Sequence, residues 1–210
     1  MTQMSMNKVI HCAIRRDLTR FRDALAAFQD GDRARAGALH TAWLNFDAQL
    51  TDHHEGEHEI AWPALTAIGV PGPSITAFDQ EHEQMATDLK AAGAAVATLA
   101  ASATKADAEA TAAAMAKLET TTTTHIDHEE RETEQLLLTK EDDPAVKKMG
   151  KQFSRRASIS QAGTFFAWMQ DGATAEEQAG LKQSVPGPVI TIIGGLFGRR
   201  YRNEVAPVWR

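Results

Sequence analysis

The chain holds 210 residues, enough for one domain with a real core or one domain plus an appendage. Its 43% hydrophobic and 24% charged residues exclude disordered and collagen-like classes, its single cysteine (Cys12) excludes an intrachain disulfide and reads as a buried small side chain, and its net charge of −6 argues against a generic nucleic-acid binder. No apolar leader opens the chain and the longest apolar run, Pro188 to Gly198, is too short to span a bilayer, so a cytoplasmic protein without a transmembrane segment is expected, as a monomer or small homo-oligomer.

The first element is a helix. His11, Ile14, Leu18, Phe21, Leu25 and Phe28 recur at helical spacing, and Asp30-Gly31-Asp32 stops it. A second helix runs from about Asp32 to the mid-60s, with Trp43, Phe46, Leu50, His53, Glu57, Ile60 and Ala64 as its stripe. Gly69-Val70-Pro71-Gly72-Pro73 is a loop by composition. Ser74 is the expected N-cap of a third helix, whose stripe is Ile75, Phe78, His82, Met85, Leu89 and Val96. A break is expected near Ser102 to Ala106. The fourth helix then places Met115, Leu118, Thr122, His125, Glu129 and Leu136 on one face. Almost no strand alternation is present. The expected fold is all-α: an antiparallel, up-down-up-down four-helix bundle over residues 1–143, with an additional helical C-terminal extension over 144–210.

Charge supports that division. Residues 1–143 hold 24 of the 28 acids, 12 of the 22 bases and all eight histidines, a net of −12; residues 144–210 carry +6. In the basic part, Pro144 can open a fifth helix, and Thr174-Ala175-Glu176-Glu177 resembles a capping box for a sixth. Pro186-Gly187-Pro188 is a turn. The extension is expected to fold back over the bundle, because its charge complements the acidic part and its aromatics need burial. Tyr201 is the only tyrosine, and the sequence does not place it.

The polar intruders in the four apolar stripes carry the chemistry. Each stripe contains a histidine, and two of these have a glutamate four residues later, on the same helix face: His53-x-x-x-Glu57 and His125-x-x-x-Glu129. With His11 and His82, six ionisable side chains therefore point inward. Two buried carboxylates without partners are very costly, and a bound cation removes that cost. Imidazole plus carboxylate suits iron, manganese or zinc. Four nitrogens and two carboxylates exceed one tetrahedral zinc and suit two ions bridged by the glutamates, with two histidines on each.

These residues also carry a resemblance. His11, then His53-His54-Glu55-Gly56-Glu57-His58-Glu59-Ile60-Ala61-Trp62-Pro63, then Glu81-His82, then His125-Ile126-Asp127-His128-Glu129-Glu130 resembles the hemerythrin-like, or HHE cation-binding, family over about residues 5–140. The resemblance implies a four-helix bundle around a non-haem di-iron centre, oxo- or hydroxo-bridged. Its ligands would be His11, His53, Glu57, His82, His125 and Glu129. It further implies binding or processing of O2, H2O2 or NO, with catalase-like peroxide decomposition as one activity. A redox or NO sensor, or an iron donor for damaged iron centres, is the alternative. The chain departs from the oxygen-carrying members in having Phe78 one turn before His82 and a glutamate, not an aspartate, after His125.

Other readings compete. His54-Glu55-Gly56-Glu57-His58 has the H-E-x-x-H form of a zinc peptidase. Its face runs through Asp47 and Thr51 and is polar, which argues against that site. No second Glu-x-x-His supports a ferritin-like site. His54, His58 and His128 are expected to be exposed or to support the ligands, and His40 to be structural. The hydroxyls of Thr121 to Thr124 are expected to bond back to helix carbonyls.

Overall fold

The structure is a computed structural model that describes residues 3–210. Among these residues the secondary structure is all helical. Helix α1 spans Met6–Ala26, its first turn closed by the Ser5 side chain accepting from the amide of Lys8. Gly31, at φ +79°, turns the chain, and Asp32 caps α2, Arg33–Gly56. Helix α2 does not end at Gly56. It passes through a π turn at Glu57–Ala61 directly into α3, Trp62–Ile68, which Gly69 stops in the left-handed conformation. Helix α4 is Gly72–Ser102 and α5 is Lys105–Thr139, separated by Ala103 and by Thr104 as N-cap. The expected N-cap at Ser74 is corrected: α4 begins three residues earlier, behind Pro71 as N-cap, with Pro73 in a first turn where its missing amide costs nothing.

The C-terminal segment forms α6 (Pro144–Arg156), α7 (Ile159–Gln170), α8 (Ala175–Ser184) and α9 (Gly187–Phe197). A second π turn at Tyr201–Val205 and a 3-10 turn at Ala206–Trp209 end the chain. Both α7 and α8 open with full capping boxes, from Ser158 and from Thr174.

Packing follows the apolar stripes. Helix α5 lies against α4 and α1, and α2 lies against α4. Helices α7 and α8 rest on α1, α6 rests on α3, and the final turns rest on α2. The largest core joins both parts of the chain: Phe21, Trp43 and Phe46 stack edge to face, and Trp209 closes on Phe21 at 5.0 Å between ring centres. Trp168 and Tyr201 are fully buried in the same core. Each such side chain contributes about 1.5–3 kcal/mol by leaving water. A smaller core gathers Trp62, Leu65, Ile68 and Phe78 under Val146, Met149 and Phe153 of α6. Phe78 of this smaller core packs edge to face on His125, which places the functional candidates beside it.

Candidate metal centre

The structure brings all six singled-out side chains into one cluster. Helix α1 supplies His11, the last turn of α2 supplies His53, and the π turn begins at Glu57. Helix α4 supplies His82, and α5 supplies His125 and Glu129. The Nε2 atoms pair: His11 faces His53 at 3.2 Å, and His82 faces His125 at 3.0 Å. The two carboxylates lie across these pairs. Glu57 presents Oε1 to His53 Nε2 at 3.1 Å and Oε2 to His82 Nε2 at 3.4 Å. Glu129 presents Oε2 to His11 Nε2 at 3.2 Å and to His125 Nε2 at 3.9 Å. Each glutamate is thus shared between the two histidine pairs.

The π turn bears on this geometry. At Trp62 the amide bonds five residues back, to the carbonyl of Glu57, so the helix is locally widened right after the ligand turn. Such insertions recur at functional sites because they re-aim side chains without ending the helix. Here the extra residue keeps Glu57 buried and still turns Trp62 inward, onto Phe78 and His82.

The outer nitrogens are fixed by carboxylates. His11 Nδ1 donates to Glu130 at 3.1 Å, and His125 Nδ1 donates to Glu81 at 2.8 Å. These bonds set the tautomer that leaves Nε2 with its lone pair facing inward, the arrangement that orients metal-bound imidazoles. Glu130 is itself held by Arg15 at 2.6 Å, and Arg15 also pairs with Asp127. Glu81 takes a second bond from His128 at 2.8 Å. Asn7 donates to Glu129 Oε1 at 3.0 Å, leaving Oε2 to face the histidines. Sequence reasoning assigns no role to Glu81, Glu130 or Asn7. Adjacency is the one signal for the two glutamates, since Glu81 precedes His82 and Glu130 follows Glu129, and Asn7 has none.

Of its two expected places, His54 takes the one beside a ligand. It is half-buried and stacks on His82 at 4.2 Å between ring centres. One ligand atom each of His54, Glu57, His82 and His125 lies within 4.8 Å of the others, as does one each of His11, His53 and Glu57. The H-E-x-x-H reading finds no support in the geometry. His58 is 69% exposed and bonds to Asp79, and Glu55 is engaged by Arg156. His40 lines an open groove between α2 and α4, with Trp43, Asp47 and Lys90. Thr121 bonds back to the carbonyls of Lys117 and Leu118, as expected of a helical threonine. Tyr201 lies apart from the cluster: it is buried and donates to Asp171. Cys12 is half-buried, and burial raises its thiol pKa.

The electrostatics are those of a site short of positive charge. Burial holds His53 far below the ordinary histidine pKa, with the neighbouring imidazoles adding to it. Burial and His125 bring His82 down to about 3. Burial also works to lower His11, but the negative charges of Glu129 and Glu130 beside it outweigh burial and the pKa rises. Burial and the adjacent Glu129 push Glu57 well above the usual carboxylate range. Burial would raise Glu129 too, yet His11 holds it low. The facing Nε2 atoms of each pair, 3.2 and 3.0 Å apart, share a proton in the metal-free chain and are free to turn to a cation instead. Glu57 Oε1 and Oε2 and Glu129 Oε2 are buried and accept no hydrogen bond. The donor set, four imidazole nitrogens and two shared carboxylates, fits a pair of divalent or trivalent first-row ions.

A family model described as hemerythrin HHE cation binding domain matches residues 8–137. No curated protein and no solved structure gives a match.

Proposed function

Because the chain belongs to the hemerythrin HHE cation-binding family, we propose that it holds two iron ions and binds or processes O2, H2O2 or NO on them. His11 and His53 serve one ion, His82 and His125 the other, and Glu57 and Glu129 bridge the two. The observation that carries this reading is the carboxylate pair. Glu57 is 2% and Glu129 1% exposed, and three of their four oxygens accept no hydrogen bond within the chain. Ionised carboxylates buried without partners cost several kcal/mol, and bound cations remove that cost. Two irons held by these residues would supply the two-electron change that peroxide disproportionation requires.

The chain's own residues do the rest. Glu81 and Glu130 hold the imidazoles of His125 and His11 in the ligating tautomer. Asn7 fixes the rotation of the Glu129 carboxylate. Ile14, Phe46, Phe78, Met85 and Leu118 are buried and apolar, and they exclude bulk water and substrates larger than a few atoms. In this reading α1, α2 with α3, α4 and α5 make the up-down-up-down bundle of residues 1–143, and residues 144–210 are an extension packed on it.

Metal analysis with an optical spectrum of the purified protein tests the proposal. Two irons per chain with oxo-bridge absorption bands are expected, and one zinc without colour overturns it. Glu57→Ala and Glu129→Ala are each expected to lose iron, and retention of the full complement by both variants contradicts the bridging role. Steady oxygen release from peroxide identifies an enzyme. Stoichiometric bleaching identifies a sensor or an iron donor.

A further inference from the structure

Large exposed apolar side chains are not scattered over this molecule. Besides Leu44, those among the described residues are Ile159, Val189, Ile192, Leu196 and Phe197, all in α7 or α9. Helix α9 packs chiefly on α7 through small residues: a Cβ at Gly163 would lie 2.3 Å from that of Phe197, and one at Gly198 would lie 2.7 Å from the carbonyl oxygen of Gly163. That close approach buries Ile190, Gly194 and Gly198 and turns the opposite face of α9 to solvent. Val189, Ile192 and Leu196 recur on that face at i, i+3 and i+7, with Ile192 57% and Leu196 64% exposed. Ile159 stands one turn before Gly163, so it extends the same patch at the Phe197 end.

The charge around the patch is mostly positive. No aspartate or glutamate occurs in residues 157–170 or 178–203, which hold Lys182, Arg199, Arg200 and Arg202. Arg199 and Arg200 are exposed directly beyond the apolar stripe. Arg200 pairs with Glu204, and Arg202 is spent on the carbonyls of Gly194 and Gly195. Among the described residues Arg199 has no carboxylate partner. A contiguous apolar face of this kind marks an interaction surface. Its cationic end selects the occupant. Two copies meeting through this face would bring Arg199, Arg200 and Arg202 of each together with only Glu204, already paired with Arg200, to relieve them, whereas an anionic lipid surface supplies the missing charge.

We propose that the outer face of α9 docks on an anionic membrane surface, with Val189, Ile192 and Leu196 entering the headgroup boundary and Arg199 and Arg200 at the lipid phosphates. The helix lies in the surface and does not cross it: its 11 residues reach about 16 Å, roughly half the hydrocarbon thickness. No helix among the described residues is long and apolar enough to cross a membrane. Apolar insertion plus a basic end is the two-part signal such helices use.

Co-sedimentation of the full-length protein with vesicles tests this. Vesicles of equal parts phosphatidylcholine and phosphatidylglycerol are expected to carry the protein down, and pure phosphatidylcholine vesicles are not. Ile192→Asp with Leu196→Asp should abolish binding. Arg199→Gln should weaken it about fivefold, the loss of one basic residue near an anionic surface. All three positions are exposed, so circular dichroism and metal content should stay unchanged. Failure of the phosphatidylglycerol vesicles to carry the protein down overturns the proposal, as does binding indifferent to these substitutions. So does light scattering that shows a dimer which the double aspartate variant splits, because the face would then belong to a second copy.

Discussion

Helix α1 carries two buried acid clusters, and they are opposites. Near its N-terminal end His11 joins Glu57 and Glu129. Six residues on, Asp17 is 1% exposed, as deeply buried as either glutamate. Every demand of Asp17 is met inside the chain. Trp168 Nε1 donates to its Oδ2 at 2.7 Å and Arg20 donates to its Oδ1 at 3.0 Å. Arg20 also pairs with Asp171 at 3.2 Å, and Tyr201 donates to Asp171. Glu57 accepts no hydrogen bond at all. Burial of a carboxylate therefore does not by itself mark a ligand site. What marks it is acceptor capacity left unused. The satisfied cluster ties the C-terminal helices to α1, and the unsatisfied one is shaped for something the chain does not contain.

The sharpest way to break this comparison is to remove Asp17. Asp17→Ala leaves Arg20 short of a partner and the indole of Trp168 without an acceptor. A loss of about 3–5 kcal/mol in urea unfolding is expected, the range for breaking a buried charged pair. Iron content should be unchanged at temperatures where the variant is folded. An unfolding midpoint equal to the wild type would show that the Asp17 cluster ties nothing.

Acid should act on the other cluster. In the metal-free protein His82 is held down to about 3, by burial first and His125 second. The unfolded chain takes up this proton near its ordinary value of 6.5, so the folded state binds fewer protons between the two values. Stability is therefore complete above pH 6.5 and falls as pH drops toward 3. This one group accounts for about 2 kcal/mol by pH 5. Thermal melts of metal-free protein from pH 7.5 to 5 measure it. His82→Gln should flatten the slope. A pH slope that His82→Gln leaves unchanged contradicts the burial of a neutral imidazole.

A smaller effect ties the C-terminal segment to the ligand turn. Gly56 lies one residue before Glu57, and a Cβ there would come within 2.6 Å of Phe153 Cε1. Alanine improves helix propensity by about 0.8–1 kcal/mol, but displacing the Phe153 ring costs about 1–3 kcal/mol. Gly56→Ala should therefore lose about 1 kcal/mol, and Gly56→Ala with Phe153→Leu should recover part of it. The double-mutant cycle reads whether α6 clamps the ligand turn.

The parts legible in the sequence obey short-range rules. The stripes of α1, α2, α4 and α5 repeat every three or four residues, so an inward histidine stands out against its apolar neighbours. His53 with Glu57 and His125 with Glu129 stand out for the same reason. Long-range pairing left no such trace. Glu81 sits on α4 but serves His125 on α5, and Glu130 sits on α5 but serves His11 on α1. Each is one residue, about 100° of helix, away from its neighbouring ligand and so reads as surface. The π turn at Glu57–Ala61 shifts hydrogen bonds by one residue without any compositional marker. Charge asymmetry pointed to contact between the two parts of the chain, and Arg156 does meet Asp52, Glu55 and Glu59. The main joint, however, is apolar, with Trp168, Tyr201 and Trp209 packed into the larger core.

The smallest expected effect completes the comparison. Burial and Glu129 already keep Glu57 protonated well above the usual carboxylate range in the metal-free protein. Below that raised pKa, Glu57→Gln replaces a neutral acid with a neutral amide of nearly the same shape. Metal-free stability should change by less than about 0.5 kcal/mol, within the scatter of a neutral substitution. Iron stoichiometry should nevertheless fall, because an amide bridges two cations far less well than a carboxylate. Asp17 has the reverse profile: large in stability and silent in metal content. If Glu57→Gln instead unfolds the metal-free protein, Glu57 is a structural residue like Asp17, and its unfilled acceptors do not distinguish the two clusters.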